Sequence, residues 1–342
     1  MLSKTVNRLL EKRGDFMKVG IMGAGSIAGK MAVTIAGLKD VENYAICSRD
    51  IEKSKAFAEQ FGMTKAYGSY EEMLADPAVD LVYIALPHSH HCEWTIKSLE
   101  YGKNVLCEKA FAINTAETRK MLRVAEEKKL LLTEAIWTRY MPSRKMIDEI
   151  IASGVIGELK TVSANLGYKI DHVKRLTDPA LAGGSLLDLT VYPLNFASMV
   201  WGDEIERIEA SCTYTDTGVD GQDTVMLAYK DGRMASLFTT IYSLTDRRGI
   251  IYGTNGFIEV ININNPEKIL VYKMENSELV LSKEYAVPAQ ITGYEYEVLA
   301  CKRALEEGKI ECGEMPHAET IRIMEQMDEI RKQFKIVFPQ EK

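Results

Sequence analysis

Short apolar runs alternate with amphipathic stretches through the first 135 residues, which predicts a repeating strand–helix unit. Val19 to Met22 is an apolar run of strand length, broken by Gly23 and Gly25, and an Ala-rich stretch from Ser26 to about Gly37 follows as a helix. Tyr44–Cys47 predicts the next strand and 51–61 its helix, with Asp50 as N-cap. A short strand near Lys65-Ala66 and a helix near 69–75 come next. Then come a strand over Asp80–Ala85 and a helix over 91–101 that Gly102 stops. Strand Asn104–Cys107, helix 115–129 and strand 130–134 complete this half. Strands alternating with helices of this length imply a parallel sheet with right-handed crossovers, whose ligands lie beyond the carboxyl ends of the strands.

After residue 135 the pattern changes. Helix 142–153 ends at Gly154, and from about 159 the chain reads as strands over 159–168, 205–215, 223–230, 234–242, 248–253, 256–261, 268–273 and 279–284. Turn signals such as Lys230-Asp231-Gly232 and Thr254-Asn255-Gly256 separate many of them. A large, mostly antiparallel sheet is expected, with helix 185–201 covering one face and helices 294–307 and 317–334 finishing the chain. Such a sheet leaves a face and edges to bury, so a homodimer or homotetramer is expected.

Composition narrows the class. With 342 residues, 46% apolar and 27% charged, the chain is that of a globular protein of two domains. A net charge of −7 and the lack of a dense Lys/Arg run argue against a nucleic-acid partner. No apolar run approaches the roughly 20 residues of a membrane span. The six cysteines are scattered without a CxxC pair, as expected of buried thiols in a reducing cytoplasm. Residues 1–16 form a basic, mildly amphipathic extension without the apolar region of a signal peptide, and Met17 is the more natural start of the fold.

The glycines carry the first chemistry. Gly23 permits a tight turn, Gly25 lets backbone approach a pyrophosphate, and Ala28 is small enough for close helix–strand packing. Ser26 and Ile27 lie at the helix start, whose free N–H groups suit an anion. The expected fold is therefore α/β: a Rossmann dinucleotide-binding domain over 17–135 and an α+β domain over 136–342 for substrate and oligomerisation. About 20 residues beyond the glycines, where an NAD enzyme places an acid on the ribose, this chain has Ser48 and Arg49. A hydroxyl and a guanidinium suit a 2′-phosphate, which favours NADP over NAD. The alternative is a solvated loop arginine and NAD.

Other candidates stand at strand ends: Leu86, Pro87 and His88, His91, and Glu108 with Lys109. Three histidines fall within 88–91, but no cysteine or carboxylate set accompanies them, so no metal is expected. They either line a nicotinamide or substrate pocket or are simple loop polarity. In the second half, Gly183-Gly184-Ser185 opens a helix on which Asp188 and Tyr192, four apart, share a face. Spacing leaves two readings open: a functional pair, or a buried Tyr satisfied by Asp.

Together these stretches resemble the glucose–fructose oxidoreductase/inositol dehydrogenase family, Gfo/Idh/MocA, over residues 17 to about 335. The resemblance rests on the glycine loop 20–28, Pro87 with His91, the run from Gly102 to Lys109, Glu134 through Arg139 and Pro142, and Gly183 to Tyr192. The turn Trp137-Thr138-Arg139-Tyr140, and Tyr192 where many members have His, resemble the branch with trans-dihydrodiol dehydrogenases and NADP-linked sugar dehydrogenases. The resemblance implies hydride transfer between nicotinamide and a CH–OH carbon of a sugar, cyclitol or cyclic diol. It makes Tyr192 the acid/base, Lys109 its partner and Asp188 a helper, with His91, Trp137 and Arg139 as pocket groups. Ala110 stands where the family's usual proline would be. A cationic Lys109 is expected to lower the Tyr192 pKa from about 10. Two other readings are an NAD-dependent glycoside hydrolase that oxidises its sugar transiently, and a non-catalytic dinucleotide sensor.

Overall fold

The computed structural model describes residues 16–202 and 204–342, so the reading of the N-terminal extension lies outside the described residues apart from Phe16. The first half is a six-stranded sheet in the order β3-β2-β1-β4-β5-β6, every neighbouring pair parallel. Its strands are β1 (Met17–Met22), β2 (Val41–Cys47), β3 (Lys65–Tyr67), β4 (Leu81–Ile84), β5 (Asn104–Glu108) and β6 (Leu132–Ala135). Helices α1 (Ser26–Ala36), α2 (Ile51–Phe61), α3 (Tyr70–Ala75), α4 (His91–Glu100) and α5 (Thr115–Lys128) make the crossovers. Ile21, Ile46, Val82 and Leu106 are completely buried, as continuous apolar strands covered on both faces require. The strand order reverses between β1 and β4, and a crevice opens at their carboxyl ends.

Helix α6 (Pro142–Ala152) leads to an eight-stranded sheet in the order β14-β13-β12-β11-β7-β10-β9-β8. These strands are β7 (Leu159–Gly167), β8 (Ile205–Tyr214), β9 (Asp220–Tyr229), β10 (Met234–Thr240), β11 (Gly249–Gly253), β12 (Gly256–Ile261), β13 (Lys268–Glu275) and β14 (Glu278–Ala286). All pairs are antiparallel except β7 with β10. The strap between β7 and the next helix holds two short turns, α7 (Lys174–Thr177) and a 3₁₀ turn at Pro179–Leu181. The helix expected over 185–201 is in two parts: a π turn at Leu186–Thr190, then α8 (Val191–Trp201), which packs on β7 and β10.

The last two helices, α9 (Glu295–Glu306) and α10 (His317–Gln333), return to the first half. Helix α10 packs on both α5 and β8. Arg119 of α5 pairs with Glu325, and the Thr115 N–H donates to Asp328 at 2.9 Å. Ile310 accepts the Leu132 N–H of β6 at 3.0 Å. The C-terminal segment thus binds the two sheets together.

Candidate active site

A cavity of about 660 Å³ lies at the carboxyl ends of β1, β2, β4 and β5 and is closed by residues 173–192 of the second half. Gly23 makes its floor possible. With φ at +102°, it donates its N–H to the Cys47 carbonyl at 2.9 Å, and a Cβ there would lie 2.5 Å from the Ala85 oxygen. Gly25 is the N-cap of α1, with no side-chain cap and no acid in the first turn. Nothing lies within 4 Å of where its Cβ would be. The helix start therefore keeps its free N–H groups and positive dipole end for an anion. Ser26 and Ile27 line the cavity, while Ala28 is fully buried and serves packing.

Three cations, Lys30, Arg49 and Lys53, surround this end. None of them forms an ion pair with the described residues. Asp50 caps α2 as expected, accepting from the Glu52 and Lys53 N–H groups at 3.0 and 3.3 Å. Ser48 lines the cavity, but its hydroxyl is committed to the Asp50 carbonyl at 2.7 Å and to Ser54 at 2.8 Å. It shapes the loop rather than offering a free donor. These residues fit a dinucleotide carrying an extra phosphate: an open helix start, backbone without a side chain, and spare positive charge.

At the strand ends Leu86, Pro87 and His88 line the cavity. His88 meets the Ala182 carbonyl through Nδ1 at 3.0 Å, tying the first half to the strap. The reading of His91 as a pocket group is corrected. It is completely buried and lies between the carbonyls of Ala110 and Leu86, each at 2.9 Å, bracing the ends of β4 and β5. Burial pushes His88 down to about 3 and His91 down to about 4, so both rings are neutral at physiological pH. Among the described residues no group of three or more such side chains is arranged to hold a metal.

The other end of the cavity brings together Glu108, Lys109, Asp188 and Tyr192 from distant parts of the chain. The Lys109–Ala110 peptide is cis. Lys109 Nζ donates to the Asp188 carbonyl at 2.6 Å, lies 3.4 Å from Asp188 Oδ1, and sits 4.9 Å from the centre of the Tyr192 ring. Arg175 Nη1 donates to the same Oδ1 at 3.0 Å. Burial alone would raise the Asp188 carboxyl, but Lys109 and Arg175 overcome it and hold the group well below the usual carboxylate range. Tyr83 donates its hydroxyl to Glu108, whose carboxyl burial raises.

Tyr192 is not satisfied by Asp188. Its oxygen accepts the Trp137 indole N–H at 3.1 Å, and that N–H also reaches Asn264 at 3.3 Å. Trp137 stacks on Tyr294 at 4.1 Å with planes 2° apart. Two further expectations are corrected here. Trp137 does not line the cavity but holds Tyr192 from behind. Arg139, 9% exposed, is paired with Glu319 and bonded to Asn195 and Ser198, so it joins α8 to α10. The expected lowering of the Tyr192 pKa is also reversed: burial, reinforced by Tyr294 and Glu108, pushes the phenol well above 10. Lys109 is nearby, but desolvation of the phenolate outweighs it.

Sequence reasoning missed Lys30, Lys53, Tyr70, Val173 and Tyr294 as lining residues. Arg175 stands in the strap beside Asp171, His172 and Lys174, and charge alone does not single it out. Lys53 had a signal, standing three residues after the cap Asp50; Tyr294 had none, because only the return of α9 brings it here.

The chain matches two family models. One is the oxidoreductase family with an NAD-binding Rossmann fold, GFO/IDH/MocA, over residues 17–136. The other is the GFO/IDH/MocA C-terminal domain, over residues 145–259. Trans-1,2-dihydrobenzene-1,2-diol dehydrogenase from Mus musculus is 34% identical over 333 residues, covering 95% of this chain and 99% of that one. The enzymes of that name from Bos taurus and Homo sapiens are 35% and 34% identical at the same coverage. Among solved structures, a 3-ketoreductase from Actinomadura kijaniata in complex with NADP and TDP-benzene superposes with a TM-score of 0.85. It is 24% identical and covers 93% of this chain and 98% of its own. Levoglucosan dehydrogenase, in complex with NADH and levoglucosan, superposes at 0.82 with 18% identity, covering 94% and 98%.

Proposed function

The chain belongs to the GFO/IDH/MocA oxidoreductase family, and from that premise we propose an NADP-linked dehydrogenase/reductase acting on a CH–OH carbon of a sugar, cyclitol or cyclic diol. The observation that carries the reading is one cavity with two chemically different ends. An uncapped helix start with three spare cations lies at one, and Lys109, Asp188 and Tyr192 lie at the other. The dihydrodiol dehydrogenases among its relatives and the NADP-bound ketoreductase among its fold neighbours support the same choice.

When bound, nicotinamide supplies the hydride acceptor or donor. The residues do the rest. The N–H groups at the start of α1 bind the pyrophosphate, and Arg49 with Lys53 favours a 2′-phosphate. Tyr192 rests as the neutral phenol, so it is poised to give a proton to a carbonyl oxygen during reduction. In oxidation it is the deprotonated form, the tyrosinate, that takes the hydroxyl proton, so that direction first requires the phenol to give up its own proton. Lys109 stabilises negative charge on the reacting oxygen and on the Tyr192 oxygen, helped by the Trp137 N–H. Asp188 holds Lys109 in place through its carbonyl and its carboxyl.

The test is direct. Tyr192→Phe and Lys109→Ala should each lower turnover by about 10²- to 10⁴-fold, the range of general acid–base catalysis, with NADP affinity nearly unchanged. The assay follows reduced-cofactor absorbance across aldoses, inositols and cyclic diols, with NADP affinity by titration. Near-normal turnover in both variants overturns the assignment.

Assembly is part of the same reading. On the outer face of the second sheet Tyr252, Phe257 and Tyr272 form a cross-strand aromatic row, with ring centres 5.8 and 4.6 Å apart, and Phe238 is exposed farther along the same sheet. A second copy covering that face gives a homodimer or homotetramer, and light scattering that reports a monomer at micromolar concentration rejects it.

A further inference from the structure

The helix that presents Asp188 and Tyr192 does not begin as an α-helix. Residues Leu186–Thr190 make a π turn before α8. A π turn adds a residue to the register and is less stable than α-helix, so something must hold it. Two carboxyls of β9 meet it at its two ends. At the start, Asp220 accepts the Leu186 N–H. Gly184, with φ at +122°, passes so close that a Cβ would lie 2.3 Å from Asp220 Oδ1. At the end, Thr190 donates its hydroxyl to Asp223 Oδ2 at 2.7 Å. Thr239 of β10 lies 2.6 Å from the Thr190 hydroxyl and 2.8 Å from that of Ser185, closing the ring.

All five of these side chains are buried, the two carboxyls at 2% and 0% exposure. Burying two acids side by side is unfavourable for stability. Burial and the charge of Asp220 drive Asp223 well above its usual range, and burial raises Asp220 to about 6. A plain helix start needs neither group at that cost, since a Ser or Asn cap would suffice. What lies between the two anchors is Asp188, whose carbonyl receives Lys109 and whose carboxyl receives Lys109 and Arg175.

We propose that Asp220 and Asp223 are positioning residues of the reaction. By gripping both ends of the π turn they fix the Asp188 main chain and carboxyl, and through these the Lys109 ammonium relative to Tyr192. This rests on the roles given to Lys109 and Tyr192 above.

The experiment compares Thr190→Val, Thr190→Ser, Asp220→Ala, Asp220→Asn and Asp223→Ala with Val271→Ala, a core control on β13, three strands from β7. Melting temperature, NADP affinity and kcat are measured for each. Thr190→Val and Asp223→Ala, each of which removes the Thr190–Asp223 hydrogen bond, should lower kcat by about ten- to a hundredfold, the scale of an ångström-sized misplacement. NADP affinity should stay within about twofold, because the anion end of the cavity is built by the other sheet. Thr190→Ser should recover most of the loss, since it restores the hydroxyl. Asp220→Ala, which removes the acceptor for the Leu186 N–H, should also lower kcat without altering NADP affinity, whereas Asp220→Asn, which keeps an acceptor there, should stay within about threefold of wild type. Wild-type kcat in folded Thr190→Val or Asp220→Ala overturns the proposal. So does a Val271→Ala control that loses kcat as much as they do at equal loss of melting temperature. If Tyr192→Phe keeps its turnover, the underlying reading has failed instead; if it is inactive while Thr190→Val is fully active, only the positioning role has.

Discussion

Single side chains in this molecule do different work from what their types suggest. Trp137 offers a ring to Tyr294 and a proton to Tyr192. Trp137→Phe keeps the stack and deletes the donor. It should cost about 1 kcal/mol in denaturant unfolding, the net worth of a buried hydrogen bond. Turnover should fall by about tenfold, since that bond favours the tyrosinate. Arg49→Ala should weaken NADP by about tenfold or more, from the roughly 1.5–3 kcal/mol of a charged hydrogen bond, while NAD titrates as before. Equal loss for both cofactors rejects the 2′-phosphate role. Glu134 is buried, and burial pushes it up to about 7 despite Arg139 and the Phe111 N–H. The folded protein therefore keeps this proton up to about pH 7, while the unfolded chain releases it near the ordinary 4.5. Between those values the folded state binds more protons, so stability falls as pH rises, by about 3 kcal/mol from this group. Glu134→Gln cannot ionise, and its unfolding free energy should be flatter across that window than the wild type's.

At the level of elements, most of the fold is written in periodicity, because each strand and helix buries a face set by its own repeat. The β1–α1 unit, the Asp50 cap and all eight strands of the second sheet lie where alternation and turn residues place them. The π turn at Leu186–Thr190 and the 3₁₀ turns at His88–His90 and Trp137–Arg139 have no such signature. They exist because of partners remote in sequence: Asp220 and Asp223 for the first, the Ala182 carbonyl for the second, and Tyr192 for the third. Gly184 is where local and remote demands meet. Gly184→Ala forces a side chain into a conformation that glycine alone tolerates, and drives a Cβ onto Asp220. A loss of about 2 kcal/mol or more is expected, seen as a lower denaturation midpoint with an unchanged m-value.

Across the whole molecule the C-terminal helices decide cooperativity. Helix α10 bridges α5 and β8, the segment at Ile310 extends beside β6, and Arg139 joins Glu319 of α10 to Asn195 and Ser198 of α8. Neither half can open without baring apolar surface of the other. A single calorimetric transition is expected, with equal calorimetric and van't Hoff enthalpies. Two resolved transitions would show that the halves unfold separately. NADP at a hundred times its dissociation constant should raise the unfolding free energy by about 2.7 kcal/mol, a shift of the one transition.

By itself the sequence determined which segments are strands and helices, where a glycine loop opens a helix start to an anion, and that Ser48 and Arg49 stand where an acid could. Each of these is local, set by residue spacing within one unit. It also singled out Lys109 at a strand end and Asp188 with Tyr192 by their spacing, and family resemblance gave the three their roles. Only the tertiary structure decided what those three touch: Asp188 belongs to Lys109 and Arg175, and Tyr192 to Trp137. It also decided that His91 and Arg139 are braces, and that the Tyr192 phenol rests protonated. Those outcomes depend on burial and on contacts between residues tens to hundreds of positions apart, and a linear pattern carries neither.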